Sequence, residues 1–134
     1  PEEPGFKELR FKDKDWDYLD RYTGYFQSWG QELVKYKEKP FWCQLYGGGM
    51  EKEHVGNTTF AHQTYDFLKK ALSAGEKQGK FQPRGPKLFQ DKDWKYTCKW
   101  KGDITKFKGS EQIFCKNKLV FTHDFMGGLI LAKT

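Results

Sequence analysis

The chain has 134 residues, the size of one ordinary domain able to bury about two thirds of the surface its unfolded form exposes. Ten Leu, three Ile and three Val stand against 12 Phe, 7 Tyr and 5 Trp, so the core has to be aromatic, and this content excludes a disordered chain. The net charge of +6 is uneven: residues 1–50 carry 8 basic and 9 acidic side chains, residues 51–79 carry 4 of each, and residues 80–134 carry 12 and 5.

In chain order, the acidic start Pro1-Glu2-Glu3-Pro4 is neither a signal nor a transit peptide. No apolar run reaches the roughly 18 residues a membrane span needs. Both features point to the cytoplasm. From Phe11 the chain reads F-K-D-K-D-W-D-Y-L-D-R-Y-T-G, and from Phe89 it reads F-Q-D-K-D-W-K-Y-T-C-K-W-K-G, a gapless match 78 residues on. After one inserted residue the match continues through Gly30-Gln31-Glu32 with Gly109-Ser110-Glu111, Val34 with Ile113, Trp42 with Phe121 and Tyr46 with Phe125. Residues 11–50 and 89–130 therefore read as two copies of one unit within a single domain, 1–134, related by an approximate two-fold.

Within each copy the apolar period is two, the mark of half-buried strands. Trp16, Tyr18 and Tyr22 alternate with Asp17, Leu19 and Arg21, and Trp94, Tyr96, Cys98 and Trp100 alternate with Lys95, Thr97, Lys99 and Lys101. Further strands are expected at about 32–37 and 41–46, and at 111–116 and 119–125, making each copy a three-stranded meander. Between the copies Phe60, Thr64, Phe67, Leu68, Ala71 and Leu72 fall at helical spacing, which predicts one amphipathic helix over about 59–74, capped at Asn57, Thr58 or Thr59 and stopped at Gly75. Gly79 to Pro86 reads as a loop because of its two prolines. The fold class is α+β, with internally duplicated antiparallel meanders and one helix between them.

Strand parity places one polar group on each apolar face. Asp20, Glu32 and Gln44 become cross-strand neighbours in the first copy, and Cys98, Glu111 and His123 occupy the same positions in the second. A carboxylate among aromatic rings has to be hydrogen-bonded, paired or protonated, so Glu32 and Glu111 are candidates for perturbed titration. The bland alternative is that both accept backbone N–H bonds beside Gly30 and Gly109. Arg84, held between Pro83 and Pro86, either ties its loop to Glu32 or Glu111 or serves a bound anion. Cys98 with His123 lacks any nucleophile motif around it, and no catalytic set follows. Cys43, Cys98 and Cys115 are odd in number and lack C-x-x-C spacing, so reduced thiols are expected, with no disulfide framework, metal site or cofactor.

The segments F-L-K-K-A-L at Phe67 to Leu72, R-G-P at Arg84 to Pro86, G-D at Gly102-Asp103, F-x-G-x-E at Phe107 to Glu111 and F-M-G-G-L-I at Phe125 to Ile130 resemble an uncharacterised small domain family of bacteria and archaea. The resemblance covers most of the chain. It implies two related halves, a helix ahead of the first half where this sequence has only Pro1 to Arg10, and in some members attachment to a helix-turn-helix regulator, without implying a reaction.

Three function classes remain. The leading one is a ligand-binding or protein-interaction module, in a regulatory sensor for instance, holding a small molecule or protein against Asp20, Glu32, Gln44, Arg84, Cys98, Glu111 and His123. The alternative is nonspecific nucleic-acid binding by Lys95, Lys99, Lys101, Lys106 and Lys108, with Trp100 weakened as a stacking platform because parity sends it to the opposite side from the lysines. A hydrolase-type enzyme is third. Either binding reading suits a monomer or a homodimer.

Overall fold

A computed structural model describes residues 4–75 and 81–133. Eight antiparallel strands form a single sheet: β1 Lys7–Asp13, β2 Trp16–Gly24, β3 Gln27–Tyr36, β4 Lys39–Met50, β5 Leu88–Asp91, β6 Trp94–Asp103, β7 Lys106–Cys115 and β8 Lys118–Leu129. Their spatial order is β1-β2-β3-β4-β8-β7-β6-β5, two four-stranded meanders joined through β4 and β8. The expectation of three strands per meander is corrected here. Each gains an outer strand, β1 or β5. These escape the period-two reading because β5 has four residues and β1, K-E-L-R-F-K-D, alternates only Leu9 and Phe11 with charge, a composition that suits an unpaired edge.

The two meanders correspond in detail. Lys14 and Lys92 both take positive φ at the first turn, as do Gly24 and Gly102 at the second. Lys37-Glu38 and Lys116-Asn117 both close two-residue turns with φ near 50° and 67°. Irregularities fall after Val34 and after Ile113. The central pairing puts Tyr46 opposite Phe125, two positions that align when the two stretches of sequence are compared, and the register runs alike on either side of that pair.

Helix α1, Thr58–Gly75, follows β4 after a short 3-10 turn at Lys52–His54. Asn57 is its cap: its Oδ1 accepts from the Phe60 N–H at 3.1 Å. Ala61, Thr64, Phe67, Leu68 and Ala71 are buried, while Phe60 and Leu72 sit at the margin. Phe67 meets Phe89 and Trp94, and Phe60 stacks on Trp94, so the helix lies on the second meander. The core is accordingly lopsided. Tyr96, Cys98, Phe107, Ile113, Val120, Phe121 and Phe125 are buried, whereas Met50 is the one hydrophobic residue N-terminal to the helix that is buried, among those described. Of the expected loop, Gly79 and Lys80 lie outside the described residues. Pro83 to Pro86 carries no helix or strand and runs back across the sheet.

Candidate functional site

The register places the polar residues as parity requires. Asp20 pairs with Glu32 and Glu32 with Gln44 across β2, β3 and β4, and Cys98 pairs with Glu111 and Glu111 with His123 across β6, β7 and β8. Arg84 enters between the two sets. Its Nε and Nη2 donate to Glu111 Oε2 at 2.9 and 2.8 Å, its Nη1 lies 3.5 Å from Glu32 Oε1, and its guanidinium sits 4.7 Å from the centre of the Tyr46 ring. Glu111 also accepts from Tyr96 Oη at 2.6 Å and faces His123 Nδ1 at 3.0 Å. Tyr96 Oη in turn accepts the Gly85 N–H at 3.0 Å, fixing the loop.

The first meander repeats this pattern in a more open setting. Glu32 accepts from Tyr18 Oη at 2.5 Å and from Gln44 Nε2 at 2.6 Å, and Gln44 Nε2 also donates to Pro83 O at 3.0 Å. Tyr46, lying over Gly30, donates to Asp20 Oδ1 at 2.6 Å. Buried carboxylates are thus satisfied by side chains, and not by the backbone N–H groups beside Gly30 and Gly109 that the sequence left open.

The electrostatics follow from burial and from Arg84. Burial by itself raises the pKa of Glu111, but the Arg84 charge and the hydrogen bonds of His123 and Arg84 outweigh it and hold the carboxyl at about 2. Burial also lowers Arg84, and Glu111 and Glu32 reverse that, so the guanidinium stays charged. Asp20 is raised, first by burial and then by Glu32, against the Tyr46 hydrogen bond. Burial pushes the Cys98 thiol up to about 11, and Glu111 stands between it and His123, so the two do not form a nucleophile and base. Among the described residues no three His, Cys, Asp or Glu side chains have a metal-binding arrangement, and no helix is long and apolar enough to cross a membrane.

The opposite face of the sheet carries the open space. A groove of about 780 Å³ lies over the centre of the sheet, continuous with a second of about 640 Å³ through Leu45, Lys101, Lys108 and Met126. Lys99 lines the first and Lys106 the second, so four of the five candidate lysines meet here. Lys95 does not, its ammonium lying 4.9 Å from the Phe114 ring centre. The aromatic partner is Trp29, and sequence reasoning missed it. Trp29 is 58% exposed and lies across Gly47, where a Cβ would stand 2.2 Å from the indole. The signal was present in Gly47, opposite Trp29 in the register, but it needed the β3–β4 pairing to be read.

Comparison with curated proteins and with solved structures gave no match. A family model does match: residues 6–130, nearly the whole chain, fit the domain of unknown function DUF5680, and the chain belongs to that family.

Proposed function

We propose that this protein is a binding module and that its ligand is an anion carrying a flat ring, taken into the outer groove. The observation that carries the reading is Trp29, a large aromatic left more than half in solvent and facing Lys99, Lys101 and Lys108 across the groove. An exposed indole supported from below by a glycine backbone offers a rigid stacking plate at little entropic cost, and lysines supply the opposite charge. Weight moves to this face because the inner polar cluster is occupied by the protein's own Arg84, which is 8% exposed.

The test is titration with a nucleoside monophosphate, the parent nucleoside and inorganic phosphate, followed by calorimetry. The nucleotide is expected to bind more tightly than either fragment, and Trp29→Ala and Lys108→Gln each to weaken it severalfold. Unchanged affinity in both variants would remove the groove from consideration.

A second reading keeps the inner face, where the first meander is open. Tyr18, Asp20, Glu32 and Val34 are partly exposed, while their counterparts Tyr96, Cys98, Glu111 and Ile113 lie buried beneath α1 and the Arg84 loop. Carboxylates set among rings suit a small cationic ligand. The parallel between the halves supports an origin by duplication. A sensor beside a DNA-binding domain in the cytoplasm, with Cys43, Cys98 and Cys115 as free thiols, is compatible with both faces.

A further inference from the structure

The outer groove has a direction, set by the sheet register. Three cross-strand rows cross it: Trp29, Gly47, Asp124, Ser110 and Lys99 form the first, Gln31, Leu45, Met126, Lys108 and Lys101 the second, and Leu33, Cys43, Gly128, Lys106 and Asp103 the third. In each row the basic residues stand on β6 and β7, to one side of β8. Rows are two residues apart, about 6.8 Å along a strand. That is roughly twice the 3.4 Å per nucleotide of a stacked strand. It matches nucleotides whose bases have been drawn apart.

Across the groove, Trp29 and Lys99 end the same row, four strand spacings or about 19 Å apart before their side chains reach inward. That width holds a base at one side and a phosphate at the other. In the neighbouring row stand Leu45 and Met126, both half exposed, an apolar floor for base or sugar.

We infer that the groove binds single-stranded nucleic acid running along β8, with one base stacked on Trp29, successive phosphates at Lys99, Lys101/Lys108 and Lys106, and bases bearing an exocyclic amine preferred. This deepens the outer-face reading and rests on it. A duplex is excluded as the favoured ligand because its bases are stacked on one another and offer no free face to the indole. The base preference comes from Asp124. It is exposed and pairs across the strands with Gly47, directly under Trp29, so its carboxylate lies at the edge of a base stacked there. A carboxylate accepts hydrogen bonds and donates none, so cytosine N4–H₂ fits and thymine O4 is repelled. The same negative charge keeps phosphates on the lysine side.

The experiment is fluorescence anisotropy with labelled oligo(dC) and oligo(dT) of about eight nucleotides, with the matching duplex, a mononucleotide and poly-glutamate as competitors. Oligo(dC) is expected to bind severalfold more tightly than oligo(dT), and Asp124→Asn to abolish that difference. Trp29→Ala should weaken binding about tenfold with the salt dependence intact. The slope of log K against log salt should lie near −2 for three phosphates, and Lys99→Gln or Lys106→Gln should each reduce its magnitude by about 0.7. Circular dichroism of each variant separates lost binding from lost fold. Equal affinity for duplex and single strand, or equal competition by poly-glutamate, overturns the inference. A mononucleotide that binds as tightly as the oligomer overturns it while leaving the outer-face reading intact. Absence of binding by any of these ligands defeats both.

Discussion

Arg84 illustrates how one residue holds two halves together. Glu111 is fully buried, and an ionised carboxylate there persists only because the guanidinium, Tyr96 and His123 surround it. Removing the guanidinium strands the carboxylate, so Arg84→Ala is expected to cost about 3–5 kcal/mol in chemical denaturation. Arg84→Lys should recover part of that, since one ammonium cannot reproduce the Nε and Nη2 pair on Glu111 Oε2. The wild-type pH dependence has a definite sign. Glu111 sits at about 2 when folded, below its ordinary value of 4.5, so its contribution is complete above pH 4.5 and is lost as pH falls toward 2. Denaturation midpoints should drop across that window in the wild type. A flat profile there would show that Glu111 is not held as an anion.

At the scale of elements, the hairpin turns carry backbone strain that the sequence does not relieve. Lys37 and Glu38 take φ of 48° and 68° between β3 and β4, and Lys116 and Asn117 take 50° and 66° between β7 and β8. Both are two-residue turns of the kind that fits the twist of antiparallel strands, where Asn-Gly is preferred because a Cβ is unfavourable at positive φ. Glu38→Gly is therefore expected to stabilise the protein by roughly 1 kcal/mol, and Asn117→Gly by less, because Asn already tolerates this conformation. Thermal melts of the two variants decide it, and a destabilised Glu38→Gly would mean that the Glu38 side chain makes a contact worth more than the strain. The glycines work differently. Gly30 and Gly47 are required by close approach: a Cβ at either would stand 2.3 or 2.2 Å from the ring of Tyr46 or Trp29.

The whole molecule is one sheet with an uneven core. Helix α1 and the Arg84 loop cover the second meander, and the buried aromatic residues concentrate there, each contributing roughly 1.5–3 kcal/mol. The inner face of the first meander leaves Leu9, Phe11 and Trp16 exposed. Local opening costs least where few apolar contacts are broken. Amide hydrogen exchange should therefore be fastest in β1 and β2 and slowest in β7 and β8, with β4 protected by its pairing to β8. Equal protection in β2 and β7 would show that the two meanders open as one unit.

Alternation by two, the 78-residue match and the apolar face of the helix are local patterns, and they sufficed for the inner-facing residues, the neighbours of Glu32 and Glu111, and the helix, while the choice of Asn57 as its cap over Thr58 or Thr59 came from the structure. Strand parity is a property of the backbone alone, which is why Asp20, Glu32 and Gln44 were placed correctly from it. The outer strands, the meander that the helix covers, and the placing of Trp29 across one groove from Lys99, Lys101 and Lys108, 70–79 residues downstream, depended on which strands pair across the centre. That pairing joins β4 to β8 and brings Tyr46 to Phe125, a long-range contact whose loop-closure cost is recovered only by the aromatic core it completes. No local pattern records it, so the sequence by itself determined the faces of the sheet, and the tertiary structure decided what stands on them together.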